Sequence, residues 1–201
     1  MSTEAQIFLA GTICRVSAGA VTAAIRDQLS EWWGPDLVVS NEQRIDFLSK
    51  TINPESECVQ VFEFDGAPQL TLIDTNLRDG YSSLMHCLSL SFAEDVFYSL
   101  RSSAEQDPSP IHELKVRKAG KPIRVVRSMM ESSGWNFFER GASLDFETPA
   151  SYKAKRIRDR VTRDLLIDYF RRIGCDLASV PSERMSRSGA IFCNRRLQHH
   201  P

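Results

Sequence analysis

Residues 112–140 read HELKVRKAGKPIRVVRSMMESSGWNFFER, and this stretch decides the fold class. Apolar and charged positions alternate over 112–118, a pattern typical of an antiparallel strand with one face in solvent. Further β-rich runs follow at 123–130, 135–140 and 144–147, and turn-like joints rich in Gly, Ser and Ala separate them. This spacing predicts an antiparallel β-meander.

The residues that follow the meander predict a long helix packed against it. Thr148 and Pro149 precede a helical pattern that runs over 151–173 and ends at Gly174. A last short strand is expected at 190–196.

The N-terminal half mixes helix and strand patterns. After Ser17, apolar residues recur at helical spacing until Gly34 and Pro35, and Asp65-Gly66 between two apolar runs indicates a hairpin. The elements expected here are a strand at 7–14, helices at 17–34 and 40–52, hairpin strands at 58–64 and 69–74, and one long or two short helices at 84–100. The expected fold class is α+β: helices plus a β-hairpin in the N-terminal half, and an antiparallel β-meander with a long packed helix in the C-terminal half.

Charge is distributed unevenly along the chain. Residues 1–111 carry 6 Lys+Arg against 16 Asp+Glu, a net charge of −10, whereas residues 112–201 carry 19 against 10, a net charge of +9. The sign changes within 102–110, a stretch with two prolines and no large apolar residue. We expect a single domain over 1–201, and 102–110 is the joint if the chain divides into an acidic half 1–104 and a basic half 111–201.

Several classes of protein are disfavoured by what the sequence lacks. It contains no C-x-x-C, H-E-x-x-H, G-x-G-x-x-G or G-x-S-x-G motif, so we expect no metal ion and no cofactor. It has no run of about 18 apolar residues and no basic secretory n-region, so we expect no membrane association. The five cysteines lie far apart and are expected to be buried and reduced, which favours a cytoplasmic location.

The predicted helix 152–172 is strongly basic. At about 100° per residue, five of its cations fall in one sector about 80° wide: Lys153, Arg156, Arg160, Arg163 and Arg171. Such a stripe can bind phosphates or an acidic protein surface through charge-assisted hydrogen bonds. The structural alternative is a solvated face, or a face paired with the acidic half of the same molecule.

Arg158 falls instead in the apolar sector of that helix. A buried arginine needs a carboxylate partner, so we predict an ion pair between Arg158 and either Glu131 or Glu139 of the meander. The same two carboxylates are the candidates for catalysis if two acids of the meander converge. The structural alternative is that the meander acids are solvated or paired with its own arginines, Arg124 among them.

Three functions follow from these patterns. The first is a non-catalytic intracellular binding protein, of inhibitor, immunity or accessory type, that docks on a macromolecular partner through a charged face. The second is nucleic-acid binding by the basic helix 152–172, assisted by Lys115, Arg117 and Arg124. The third is a small enzyme that acts on a phosphorylated substrate. The binding candidates are the helical stripe together with Arg124 and Arg140, a protein partner is favoured over nucleic acid, and the oligomeric state is left open.

Overall fold

The computed structural model of the chain describes residues 9–40, 57–64, 67–77, 79–103, 107–175 and 190–194. Its centre is a nine-stranded antiparallel sheet. The strands are β1 (Leu9–Cys14), β2 (Leu37–Ser40), β3 (Cys58–Phe64), β4 (Ala67–Thr75), β5 (Val96–Ser102), β6 (Ile111–Lys118), β7 (Lys121–Glu131), β8 (Gly134–Arg140) and β9 (Ile191–Asn194). The helices are α1 (Ala18–Trp33), α2 (Ser82–Ser91) and α3 (Arg163–Arg172).

The strands lie in the order β2-β9-β3-β4-β1-β5-β6-β7-β8. The α+β class is confirmed, as are the hairpin of β3 with β4 and the meander of β6, β7 and β8. The segment 102–110 connects β5 to β6, which are direct neighbours in the sheet. The acidic and basic halves of the sequence therefore contribute strands to one continuous sheet.

Helix α1 forms where the sequence predicts it. The Ser17 hydroxyl accepts a hydrogen bond from the amide of Ala20, which caps the helix. Val21, Ile25 and Leu29 recur every four residues and are fully buried against β3 and β4. Helix α2 packs beside α1 on the same side of the sheet, which we call the α1 face.

Helix α3 covers the opposite side, the α3 face. Leu166, Tyr169 and Phe170 of α3 are buried in one apolar cluster with Leu114 and Val116 of β6. The sheet is thus the middle of three layers. Among the described helices, none is long and apolar enough to cross a lipid bilayer.

The predicted helix over 151–173 is wrong in its first half. Residues Ser151–Lys153 and Ile157–Asp159 form single 3₁₀ turns, and Ala154 and Arg156 between them are extended. The α-helix begins after Thr162, whose hydroxyl accepts from the amide of Leu165. Thr162 acts as a cap rather than an interior residue, and tertiary contacts of the preceding segment replace helical hydrogen bonds.

The prediction of helix over 84–100 is wrong beyond Ser91. Residues Val96–Ser102 form β5 in the interior of the sheet. A spacing of four residues fits one face of a helix but also one face of a strand, because four is a multiple of two. Val96 and Leu100 therefore satisfy both patterns, and the β-branched and aromatic run at 96–98 favours the strand.

Three smaller predictions can also be compared with the structure. Ser40 ends β2 rather than beginning a helix, and the rest of the helix predicted at 40–52 lies outside the described residues. The run at 144–147 forms a turn and not a strand. The last strand is β9, close to the predicted 190–196.

The prediction that all five cysteines are reduced is wrong. Cys58 of β3 and Cys193 of β9 face each other across the sheet and form a disulfide. They are 135 residues apart in sequence, which hides their pairing from inspection of local spacing. The disulfide removes the reason for placing the protein in a reducing compartment, and the cytoplasmic location stays a prediction.

Reduction of this disulfide is expected to destabilise the fold. Closing a loop of 135 residues restricts the unfolded chain, so reduction is expected to lower the free energy of unfolding by about 2–4 kcal/mol. Urea unfolding with and without a thiol reductant measures the difference. The double variant Cys58→Ala with Cys193→Ala is the matched control, and its urea midpoint is expected to be the same with and without reductant. A wild-type midpoint that is unchanged by the reductant would contradict the prediction.

Candidate functional site

A cluster of charged side chains lies on the α1 face of β5, β6 and β7. Alternation along β6 puts Glu113, Lys115 and Arg117 on one side of the sheet. Arg101 of β5 and Arg127 of β7 are the cross-strand neighbours of Glu113. Four cations thus surround one buried carboxylate.

Glu113 is shared among three of these cations. Its Oε1 lies 3.0 Å from Arg101 Nη2 and 3.5 Å from Lys115 Nζ, and its Oε2 lies 3.7 Å from Arg127 Nη1. Oε2 and Arg127 Nε are buried and have no hydrogen-bond partner among the described residues. One carboxylate cannot balance the positive charge around it, so the cluster carries a net positive charge.

Arg117 is the least compensated member of the cluster. It is 7% exposed, and its Nη2 donates a hydrogen bond of 2.7 Å to the Ser82 hydroxyl. Within the described part of the chain, no carboxylate lies within 4.0 Å of its guanidinium. Burial lowers the pKa of Arg117 despite the attraction of Glu113, and burial likewise lowers the pKa of Lys115.

A shallow cleft that is open to solvent lies between the first turn of α2 and the sheet and is lined by Arg101, Lys115 and Arg117; we call it the cationic cleft. Its polar lining comprises Arg101, Lys115, Arg117, Glu113 and Asp79, with the hydroxyls of Thr12, Ser82 and Ser99. The hydroxyls of Thr12 and Ser99 are 2.9 Å apart. Asp79 accepts from the amides of Tyr81 and Ser82 and so occupies the start of α2.

The same side of the sheet continues over β7 and β8, where none of the described helices covers it. The guanidinium of Arg127 lies over the ring of Phe138, 5.0 Å from its centre, and Phe138 is 41% exposed. Arg140 lies on this side by its register with Val125. We call Arg127, Phe138 and Arg140 the open face; Ile123, 43% exposed, lies in the same strand as Arg127.

Arg124, a binding candidate from the sequence, is the arginine that the structure buries in an ion pair. It is fully buried on the α3 face and makes an ion pair with Glu147, with Nε–Oε1 and Nη2–Oε2 distances of 2.9 and 2.7 Å. Nη2 also donates to Glu139 at 2.9 Å, and Nη1 to the Gly141 carbonyl at 2.7 Å. Pairing of Arg124 with meander carboxylates is therefore confirmed, and its use by an outside partner is not.

Two tyrosines complete the environment of Glu147. Tyr152 donates its hydroxyl hydrogen to Glu147 Oε2 at 2.6 Å, and the hydroxyls of Tyr152 and Tyr169 are 2.9 Å apart. Burial opposes ionisation of Glu147, but hydrogen bonds from Arg124 and Tyr152 outweigh it and lower the pKa of Glu147. The carboxylate is thus a structural anion that joins the segment after β8 to the sheet.

The predicted burial of Arg158 is wrong. Its side chain is 56% exposed, and its charged neighbour is Asp159, 3.6 Å away. The helical angle that placed it in the apolar sector does not apply, because residues Ile157–Asp159 form a 3₁₀ turn. Neither Glu131 nor Glu139 contacts it.

Glu131 and Glu139 do not form a catalytic pair. Glu139 is opposite Val126 in the β7–β8 hairpin, whereas Glu131 is opposite Gly134, five residues further along β7. That offset is about 17 Å along a strand, and alternation puts the two side chains on opposite faces. The enzyme hypothesis required two acids of the meander to converge, and these two carboxylates do not.

The predicted basic stripe is dispersed. Of its five members, Arg163 and Arg171 belong to α3, while Lys153, Arg156 and Arg160 lie in the irregular segment before it. Arg160 donates to the Ala154 carbonyl and lies over the ring of Phe137. No single helix presents the stripe to a ligand.

The sequence points to Lys115 and Arg117 of the cationic cleft only as assistants of the basic helix in nucleic-acid binding. The alternation at 113, 115 and 117 is the available signal, and it predicts a half-solvated strand. Arg101 directly follows the residues predicted as helix over 84–100, so no strand pattern places it beside Glu113. Comparison with known proteins adds nothing to this site: no family model, no curated protein and no solved structure matches the chain.

Removing the charge of Glu147 is expected to be strongly destabilising. Glu147→Gln leaves the fully buried Arg124 with only the partly exposed Glu139 as a carboxylate partner, and breaking a buried pair costs about 3–5 kcal/mol. Urea unfolding at pH 7 measures the loss. Glu139→Gln is the matched control and is expected to cost clearly less; equal losses in the two variants would contradict this assignment.

The same pair predicts a pH dependence. Because the pKa of Glu147 is lowered in the folded state, its stabilising contribution is complete above the ordinary value of 4.5 and is lost as pH falls through the lowered value. The free energy of unfolding should therefore fall more steeply below about pH 4.5 in the wild type than in Glu147→Gln. Parallel acid profiles of the two proteins would refute the linkage.

Proposed function

We propose that this chain is a non-catalytic binding protein that docks an acidic segment of a partner protein on the open face and the adjoining cationic cleft. The supporting observation is the charge on one side of β5 to β8. Five cations share this side with two carboxylates, Glu113 and Glu131, which gives a net of +3. The cations are Arg101, Lys115, Arg117, Arg127 and Arg140.

The chemistry of the open face suits a protein partner. Arginine and aromatic side chains are enriched among the residues that carry most of the binding energy at protein interfaces. Phe138 supports the guanidinium of Arg127, so part of the ordering cost of that side chain is met before binding. A positive surface also accelerates and orients the approach of an acidic partner.

Nucleic acid is the less favoured partner. Proteins that bind single strands use several aromatic side chains as successive stacking surfaces. On the open face, the exposed aromatic ring is Phe138, and Arg127 already lies over it. An inhibitor, immunity or accessory protein acts by occupying a partner's surface, so that class stays part of the proposal.

A labelled acidic peptide with one aromatic residue tests the proposal. Fluorescence anisotropy is expected to detect binding that weakens as salt is raised, while a peptide with Gln and Asn in place of the acids stays unbound. The double variant Arg127→Glu with Arg140→Glu is expected to bind at least about tenfold more weakly. Arg156→Glu with Arg158→Glu, exposed residues outside the open face, is the charge-matched control and is expected to bind normally.

Two outcomes would overturn the proposal. One is equal loss of peptide binding in both double variants, which would indicate a nonspecific response to net charge. The other is tighter binding of a single-stranded oligonucleotide of equal charge, with the same dependence on Arg127 and Arg140, which would assign the open face to nucleic acid.

A further inference from the structure

We infer that the cationic cleft binds one oxyanion of the phosphate class, held by Arg117, Lys115 and Arg101. The inference deepens the proposed function, because it names a group that the acidic partner segment would carry. Binding of the free ion, however, can be tested on this protein alone.

The first observation is an uncompensated charge. Arg117 is almost completely buried, and its hydrogen bond goes to the neutral hydroxyl of Ser82. The nearest carboxylate of the cluster, Glu113, is shared by Arg101, Lys115 and Arg127. A buried guanidinium without an anion is unfavourable, and an anion in the cleft would supply the missing negative charge.

The second observation is the convergence of donors. Lys115 pairs with Ser99, and on the same side of the sheet Arg101 (opposite Glu113) and Arg117 (opposite Phe97) lie one position to either side of this pair. Arg101 and Arg117 are thus about 14 Å apart along the strands, and all three cations line the cleft, so the two arginines reach a common ion by extending their side chains toward Lys115 between them. Ser82 adds a hydroxyl on the wall of the cleft opposite the sheet.

The chemistry of the lining selects the ligand class. The enclosed part of the cleft is only about 10 Å³, so it admits one oxygen-sized group, and the rest of an anion would stay at the open mouth of the cleft. A phosphate monoester carries a charge of about −1.5 to −2 at pH 7 and presents three acceptor oxygens, which match guanidinium donors. Asp79 accepts from the amides of Tyr81 and Ser82 at the start of α2, so the cationic side chains provide the site.

The arrangement also indicates where the oxyanion comes from. Arg127 touches Glu113 at the cleft and Phe138 on the open face, so the two surfaces are continuous. A segment docked on the open face can therefore place one side chain in the cleft. We assign the oxyanion to a phosphorylated serine or threonine of the partner segment.

The test begins with inorganic phosphate and the full chain. Phosphate is expected to raise the melting temperature saturably, while chloride at equal ionic strength is expected to have no such effect. Arg117→Met should weaken phosphate binding at least about tenfold and, without phosphate, should not be less stable than the wild type, because a buried uncompensated charge has been removed. Lys115→Met is a second variant with the same expected loss of binding, and Arg156→Met is the control that should retain it.

The source of the oxyanion is tested with peptides. The acidic peptide carrying one phosphoserine is expected to bind more tightly than the same peptide with serine, and Arg117→Met is expected to abolish the difference. Absence of saturable phosphate binding, or unchanged binding by Arg117→Met and Lys115→Met, would overturn the site. Phosphate binding with no preference for the phosphopeptide would overturn the assigned source.

These failures are distinguishable from failure of the proposed function. Loss of acidic-peptide binding with intact phosphate binding would refute docking on the open face and leave the cleft site standing. Intact acidic-peptide binding without phosphate binding would refute the cleft site alone.

Discussion

The buried ion pair between Arg124 and Glu147 is the interaction on which the C-terminal half depends. Arg124 reaches the α3 face from β7 with every nitrogen of its guanidinium engaged, and Glu147 draws the chain after β8 back across the sheet. Tyr152 and Tyr169 extend the contact from Glu147 to α3. The position of α3 thus follows from the need to neutralise the buried charge of Arg124. Because the chain after β8 crosses the α3 face, it does not cover the α1 face.

The two sides of the sheet handle positive charge differently. On the α3 face, Arg124 has two carboxylates and a carbonyl, and its charge is satisfied within the molecule. On the α1 face, three cations share Glu113, and a fourth, Arg117, relies on a hydroxyl. Arg124 therefore stabilises the fold, because carboxylates of the protein neutralise its charge. The cations of the α1 face lack enough carboxylates, so an external anion would have to neutralise them.

Local patterns were sufficient to predict β6, β7 and β8, because strand alternation and turn residues act over a few positions. The start of α3 was not predictable in this way, since the Thr162 cap and the contacts of Tyr152 with Glu147 and Tyr169 compete with an uninterrupted helical pattern. An ion pair of Arg124 with an acid of the meander could be expected from the sequence. That Glu147 is the main partner could not, because it reaches Arg124 only when the chain after β8 turns back across the sheet. The alternation of β6 was enough to put Lys115 and Arg117 on one side of the sheet. Placing Arg101 beside them required knowing that β5 is a strand and that it pairs with β6.

The disulfide between Cys58 and Cys193 closes a covalent ring that contains β3 to β8, α2 and α3. Strand β1 and helix α1 lie outside this ring, yet β1 sits between β4 and β5, both of which belong to it. A single peptide-bond cleavage inside the ring would leave both fragments covalently joined; if the cut falls between β5 and β6, β1 stays with β4 and β5 in the N-terminal fragment, and the β5–β6 pairing links the two fragments by hydrogen bonds. The cationic surface would therefore stay attached to the rest of the sheet even after the chain has been nicked between β5 and β6.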